Sequence, residues 1–258
     1  MSKRIIYYYQ TFVGLDKILK ESVVTHIHLS SIHFGKNEDG SPYIHLNDNS
    51  PDDKIFFNLW NDIKKAQGNG IKIVLMVGGA GGAYNDLFNN FEVYYKLLCN
   101  VIKVYNLDGI DLDVEESVDL NNIKLLINRI NQDFGKDFLI TMAPIQSSLE
   151  SDTPGMGGFI YKELFNSKEG NLIDYFNGQF YNDFSFEAYD RVIKNNYPSN
   201  KVVIGMISGQ DFGNCCLNIK KIVDKYNNFG GVFIWEYFNA PPDVNNPSVW
   251  AEKIKQLY

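Results

Sequence analysis

Short apolar segments alternate with helix-like segments along the chain. Eight segments rich in β-branched or aromatic residues begin near positions 4, 26, 71, 109, 137, 175, 201 and 231. Between them, apolar residues recur at helical spacing over residues 91–105, 120–134, 186–195, 217–228 and 247–257. Parallel strands need long crossover connections, so this alternation predicts an α/β fold with a parallel sheet. Eight strands in one series predict closure into a (β/α)8 barrel.

The chain predicts one domain over residues 1–258. Its length fits a barrel of about 250 residues, and no Pro/Gly/Ser-rich linker divides it. About 22 residues separate the last two predicted strands, which is room for a helix and its turns but not for an inserted domain. The longer connections, residues 35–57 and 145–174, leave the C-terminal ends of strands, where barrel enzymes build their active sites.

The fourth predicted strand carries acidic residues at alternate positions. Side chains on a strand alternate between faces, so Asp111, Asp113 and Glu115 share one face while residues 110, 112 and 114 share the other. The apolar face suits packing against helices. The acids are therefore predicted to point into the barrel and to step towards its mouth by roughly 6.6 Å per pair of residues.

Three acids inside a barrel predict a perturbed pKa. Neighbouring carboxylates in a low-dielectric site cannot all ionise easily, so at least one pKa should rise. A carboxylic acid that stays protonated near neutral pH is what a general acid requires, and Glu115 is nearest the mouth. A solvated acidic strand end and a divalent metal site remain alternatives, although the segment lacks the EF-hand spacing.

Composition excludes several classes of function. With 45% hydrophobic and 21% charged residues, the chain is not a disordered one, and a net charge of -7 predicts no general attraction for nucleic acid or anionic membrane. The longest wholly apolar run, residues 73–77, is too short to span a bilayer. The residues after Arg4 form a tyrosine-rich strand, so we expect no secretory signal, which leaves a cytoplasmic location or release by another route.

Other motifs give weaker hypotheses. The glycine-rich residues 78–82 follow a strand but match neither phosphate-binding pattern, which favours close backbone approach at the barrel mouth. His26 and His28 share one strand face and are expected to satisfy hydrogen bonds inside the barrel rather than bind zinc. The three cysteines do not make a disulfide framework. No cofactor or metal is expected, and we expect a monomer.

The acidic strand and four further segments resemble glycoside hydrolase family 18, the chitinase family. Residues 108–115, DGIDLDVE, match the family signature DGxDxDxE. In order along the chain follow similarities at residues 77–79 (VGG), 142–144 (MAP), 179–182 (QFYN) and 230–235 (GGVFIW). The compact chain is most similar to plant class III chitinases and related microbial enzymes. The resemblance implies a (β/α)8 barrel without an inserted α+β domain that hydrolyses β-1,4-linked N-acetylglucosamine polymers with retention.

The resemblance also implies roles for individual residues. Glu115 matches the acid/base that protonates the glycosidic oxygen, and Asp113 matches the carboxylate that orients the substrate acetamido group. Asp111 matches a deeper acid that shares a proton or hydrogen bond with Asp113. Tyr181 matches the phenol that donates near the acetamido carbonyl. The remaining residues expected to contact substrate are Gln179, Asn182, Trp235, Met142 and Gly79.

The mechanism implied by the family is substrate-assisted. The 2-acetamido oxygen of the sugar attacks the anomeric carbon, which makes the family an exception to the two-carboxylate scheme. Met76 departs from the family pattern, because it replaces a Ser that supports the acids and Met cannot donate a hydrogen bond. The family also implies a non-proline cis peptide after Trp235. Hydrolysis of N-glycan cores and a silent glycan-binding barrel remain alternative functions.

Overall fold

The barrel is built from strands and helices that alternate along the chain. The computed structural model describes residues 3–19 and 23–258. The strands of this described part are β1 (Arg4–Tyr9), β2 (His26–Lys36), β3 (Pro42–Leu46), β4 (Lys72–Gly78), β5 (Gly109–Asp113), β6 (Leu139–Met142), β7 (Tyr175–Gln179), β8 (Val202–Ile207) and β9 (Gly231–Trp235).

The helices lie between the strands and cover the outside of the barrel. They are α1 (Asp16–Leu19), α2 (Phe57–Gly68), α3 (Tyr84–Asn89), α4 (Phe91–Val104), α5 (Leu120–Phe134), α6 (Gln146–Glu150), α7 (Tyr161–Phe165), α8 (Phe186–Lys194), α9 (Phe212–Lys225) and α10 (Ser248–Lys255). Short 3₁₀ turns occupy Lys54–Phe56, Glu169–Leu172, Ser199–Lys201 and Tyr237–Asn239. A helix with one apolar side buries that side against the sheet on which it packs.

Eight parallel strands close into a barrel, as the alternation of elements predicts. The order β1-β9-β8-β7-β6-β5-β4-β2 is closed by pairing between β1 and β2. Between β8 and β9 the chain forms only α9 and its turns, so no inserted domain interrupts the barrel there. The predicted (β/α)8 fold is therefore confirmed.

The connection after the second strand differs from the prediction. We expected a long loop over residues 35–57, whereas β2 continues to Lys36 and pairs antiparallel with β3. Ile44 and Leu46 are buried on this hairpin, because alternate residues of β3 pack inward. A second difference is that α9 begins at Phe212 rather than near position 217, because Asp211 caps its first turn by accepting a hydrogen bond from the Asn214 amide.

Two hydrophobic cores sit on either side of the barrel wall. The larger lies between the strands and the helices. The smaller fills the barrel interior, with Tyr181 and Trp235 packed above it, and contains Ile6, Tyr8, Met76, Tyr175, Val203 and Phe233. Since this inner core is largely aromatic, the polar groups set into it are enclosed and depend on one another for hydrogen bonds.

Candidate active site

The acid row runs up the barrel interior from β5. Asp111 and Asp113 belong to the strand and are buried, while Glu115 lies two residues beyond its end and is partly exposed. Ile110 and Leu112 alternate with the acids and pack in the outer core. The period of two along the strand thus separates a polar inner face from an apolar outer face.

Asp111 is the deepest acid and is surrounded by donors. Its Oδ1 accepts hydrogen bonds from Thr141 Oγ1 at 2.5 Å and Asn177 Nδ2 at 3.2 Å. Its Oδ2 accepts one from the Tyr8 hydroxyl at 2.6 Å, and His28 Nδ1 lies 3.2 Å from the same oxygen. Burial acts to raise the pKa of Asp111, but His28 and the hydroxyls of Thr141 and Tyr8 outweigh it and lower the pKa below its ordinary value.

Asp113 and Glu115 lie in contact above Asp111. Burial, followed by the charges of Glu115 and Asp111, raises the pKa of Asp113 well above its ordinary value. Burial also raises the pKa of Glu115, although contacts with Gln179 and Asp113 oppose that rise. Two carboxyl groups in contact cannot both ionise easily, so this arrangement favours the protonated form of one of them.

The pair opens into a cavity of about 380 Å³ at the mouth of the barrel. Its walls come from the C-terminal ends of several strands, which is where barrel enzymes place their chemistry. The lining residues are Gln10, Ser31, His33, Met76, Gly78, Gly79, Ala80, Gly81, Asp113, Glu115, Gln179, Tyr181, Ile207 and Trp235. Glu115, Asp113, Tyr181, Gln179, Trp235 and Gly79 of the sequence-predicted set therefore share one cavity.

β7 and β9 supply the polar and aromatic wall that faces the acids. Gln179 Nε2 donates to Asp113 Oδ1 at 3.1 Å and to the Ala143 carbonyl at 2.7 Å, which fixes the amide beside the acid pair. Burial raises the pKa of the Tyr181 hydroxyl well above its ordinary value, so the phenol remains a donor across the working pH range. Trp235 packs on Tyr8 with the ring centroids 5.4 Å apart, and its ring borders the cavity.

The glycine-rich segment over residues 78–82 forms another wall. Gly78 and Gly79 have φ of +95° and +83°, and a Cβ on Gly78 would stand 2.3 Å from the Asp113 carbonyl oxygen. This is the close backbone approach that the sequence predicts. Glu116 holds the residues that follow this segment, since its carboxylate accepts hydrogen bonds from the Tyr84 amide and the Asn85 side chain, each at 2.5 Å.

Two predicted substrate contacts are not brought into the cavity. Met142 is fully buried in the outer core, because it stands one position from Thr141 and therefore points to the opposite face of β6. Asn182 is solvent-exposed and is not among the described residues that line the cavity. The expected hydrogen bond between Asp111 and Asp113 is also not formed among the described side chains, since Asp113 turns to Gln179 and Glu115.

Several residues of the site were missed by sequence reasoning. Tyr8, Thr141 and Asn177 reach Asp111 from three different strands, and Gln10 and His33 line the cavity. Inward alternation along the strands could have indicated Tyr8, Thr141 and Asn177. The positions of Gln10 and His33 depend on loop and hairpin geometry, which the strand pattern does not encode.

The resemblance implies a cis peptide bond after Trp235, at the end of β9. The peptide bond between Trp235 and Glu236 is cis. The Glu236 carboxylate accepts hydrogen bonds from the amides of Gln10 and Thr11 at 2.7 and 2.8 Å, which joins the ends of β1 and β9. Met76 lines the cavity, where its sulfur accepts a hydrogen bond from Ser30 Oγ at 3.1 Å.

Among residues 3–19 and 23–258, no group of three or more acidic, His or Cys side chains is placed to hold a metal ion.

A barrel with a row of interior acids and an aromatic wall at its C-terminal mouth is of the class that contains many glycosidases. A family model described as "Glycosyl hydrolases family 18" matches residues 4–212. The chain therefore belongs to glycosyl hydrolase family 18, as its sequence motifs indicate.

Solved structures with similar folds cover the whole chain. A fungal endo-β-N-acetylglucosaminidase of family 18 is 34% identical, with a TM-score of 0.91, and the match covers 100% of this chain and 98% of that one. The chitinase ChiC from Aspergillus fumigatus is 31% identical, with a TM-score of 0.85 and 99% of each chain covered.

Curated relatives are longer than this chain. Chitinase 2 of Rhizopus oligosporus is 27% identical over an alignment of 208 positions, and the match covers 69% of this chain and 36% of the relative. Chitinase 1 of Tulipa saxatilis subsp. bakeri is 26% identical over an alignment of 191 positions, and the match covers 67% of this chain and 59% of the relative. In the described part of the chain, no helix has the length and apolar character that crossing a bilayer requires.

Proposed function

We propose that this chain hydrolyses the β-1,4 bond between two N-acetylglucosamine units, with retention, by a substrate-assisted mechanism. The observation that carries the proposal is that the neighbouring acids Asp113 and Glu115, the Tyr181 phenol and the Trp235 ring border one cavity. Membership of family 18 and resemblance to chitinases support a chitin-type substrate. We propose that residues 1–258 act as one catalytic unit and that the protein is a monomer.

In the first step the sugar supplies its own nucleophile. The acetamido oxygen attacks the anomeric carbon, the glycosidic C–O bond breaks, and Glu115 gives its proton to the departing oxygen. An intramolecular attack of this kind can lower the barrier by about 7 kcal/mol or more. Asp113, hydrogen-bonded to Gln179, holds the acetamido N–H and balances the positive charge of the cyclic intermediate, while Tyr181 orients the attacking oxygen.

In the second step water opens the intermediate. Glu115, now a carboxylate, takes a proton from a water molecule that attacks the anomeric carbon. The bond to the acetamido oxygen breaks, and the configuration at the anomeric carbon is the same as in the substrate. Glu115 is protonated again, so the cycle closes with one water molecule consumed.

Replacement of the proton donor tests this function. Glu115→Gln keeps the shape of the side chain but holds no transferable proton, so we expect chitotetraose turnover to fall by about 10²–10⁴-fold while binding remains measurable by calorimetry. Glu163→Gln, on α7, is a control that should retain turnover. Wild-type protein that binds chitotetraose without shortening it would contradict hydrolysis and support a glycan-binding role.

The core of an N-linked glycan is the second candidate substrate. The similarity to the fungal endo-β-N-acetylglucosaminidase, at 34% identity across the chain, favours it. Both candidates present the same bond between N-acetylglucosamine units, so the proposed acids serve either. Product analysis with chitotetraose and a high-mannose glycoprotein in parallel reactions separates them, because only one of the two substrates should be shortened efficiently.

A further inference from the structure

A buried histidine lies beneath the acid row. His28 is fully buried on β2, and its two ring nitrogens face different partners. Nε2 lies 3.1 Å from the Tyr175 hydroxyl, while Nδ1 lies 3.2 Å from Asp111 Oδ2 without a well-aligned hydrogen bond to it or to any other described group. The ring is thus held between β7 on one side and the deepest acid on the other.

Aromatic groups of two strands flank His28, while its neighbour on β4 is the apolar Val74. Tyr8 of β1 lies with its ring centroid 4.8 Å away, and Tyr175 of β7 closes the opposite side. The charged or titratable groups near these are Asp174, whose charge acts on Tyr175, Arg4, whose guanidinium lies 4.2 Å from the Tyr175 ring centroid, and His26, whose ring lies 5.7 Å from it. Asp111 is therefore the one carboxylate in direct reach of the His28 ring among the described residues.

We propose that His28 is a positioning residue that keeps Asp111 ionised, so that the single proton of the acid row stays with Asp113 and Glu115. The inference rests on the proposed acid role of Glu115. Asp111 is enclosed, and a carboxylate without a compensating partner in such a place takes up a proton. A neutral Asp111 would no longer supply the negative charge that helps to raise the pKa of Asp113, so the pair would give up its proton at lower pH.

Met76 lies in the barrel interior but gives Asp111 no hydrogen bond. Its sulfur donates none and is occupied as an acceptor by Ser30. Asp111 instead takes its donors from Tyr8, Thr141 and Asn177, all of which are neutral. His28 is the member of this group that can also carry a positive charge.

His28→Asn tests the proposal, and His26→Asn is its matched control on the same strand and the same inward face. Opposite charge within a few ångströms shifts a carboxyl pKa by about 1–3 units. We therefore expect the basic limb of the kcat/KM profile for chitotetraose to move at least one pH unit lower in His28→Asn, because Glu115 then keeps its proton only at lower pH. KM should change little, and His26→Asn should follow the wild-type profile.

A second measurement does not need turnover. In protein labelled with ¹³C at the aspartate carboxyls, the Asp111 signal is assigned by its loss in Asp111→Asn and titrated by NMR. We expect it to titrate at higher pH in His28→Asn than in wild type. If His28→Asn does not fold, Tyr175→Phe removes the group that holds Nε2, and both readouts should shift in the same direction by less.

The outcomes separate the two proposals. An Asp111 titration and a pH profile that are unchanged in the variants would overturn the role of His28. A shifted Asp111 titration in a protein that does not hydrolyse chitotetraose would support His28 and refute the function proposed for the cavity. An equal shift in His26→Asn would show a general effect of barrel polarity and would also overturn the role of His28.

Discussion

Gly79→Ala adds one methyl group to the wall of the cavity. The new Cβ would lie 3.0 Å from Met76 Cε and 3.5 Å from Asp113 Oδ2. The contact with Asp113 is ordinary, but carbon atoms pack best at about 3.5–4.0 Å, so Met76 must move by roughly 0.5–1 Å. The backbone φ of +83° is also one that alanine rarely adopts.

Gly40→Ala separates these two effects. Gly40 has a φ of +82° in the turn between β2 and β3, and nothing lies within 4 Å of an added Cβ. Each substitution should cost about 1–2 kcal/mol of stability from the backbone alone. For a chain of this size, that lowers Tm by roughly 2–8 °C. Gly79→Ala should in addition disturb the geometry around Asp113.

We expect Gly79→Ala to reduce kcat/KM for chitotetraose by about 10–100-fold, because a displacement near 1 Å at a reacting centre can cost about 10²-fold. Gly40→Ala should keep wild-type kinetics with a similar fall in Tm. Met76→Ala combined with Gly79→Ala should recover part of the activity, since it removes the Met76 Cε atom that the new methyl group would displace. The reasoning is refuted if Gly79→Ala folds and retains wild-type kinetics, or if Gly40→Ala loses as much activity.

Two further predictions concern the phenol of the site and a charged cluster on the outside. Tyr181→Phe should lower kcat by about 10²-fold with little change in KM, and a change confined to KM would show that the hydroxyl serves binding alone. Hydrogen bonds from Lys194, Lys225 and Tyr226 hold the pKa of Asp190 well below its ordinary value of about 3.9, so its stabilisation is present above that value and is lost as the pH falls. Asp190→Asn should therefore lower Tm at neutral pH, by an amount that shrinks in acid; a difference that is constant from pH 7 to pH 2 would contradict this.

The strand pattern predicted most of the architecture because buried parallel strands carry their signal locally. Residues 73–77 are apolar throughout, and the observed strand β4 begins within one residue of the predicted start. The β2–β3 hairpin was missed because β3 includes Pro42 and alternates weakly, so its pairing depends on the extension of β2. Tertiary pairing of this kind is not encoded in the period of one segment.

The sequence predicted where side chains lie when alternation along a strand decides it, and the prediction was wrong for Met142, where a motif was used instead of alternation. Asp111, Asp113 and Glu115 were placed correctly inside the barrel because their strand alternates without interruption. Met142 was placed wrongly from its position in a motif, although alternation from Thr141 would have turned it outward. The donors to Asp111 come from strands far apart in sequence, so their convergence follows only from barrel closure.

Glu115 and Glu116 are adjacent in sequence, but their side chains contact different parts of the structure. One faces the cavity, and the other is bonded to the amide of Tyr84 and to Asn85 at the start of α3. The glycine-rich segment and the acid row are therefore fastened together through a single peptide unit. Anyone who exchanges loops between barrels to alter specificity would have to transplant residues 78–85 and Glu116 as one piece, since either part alone would leave a carboxylate or a row of amides without its counterpart.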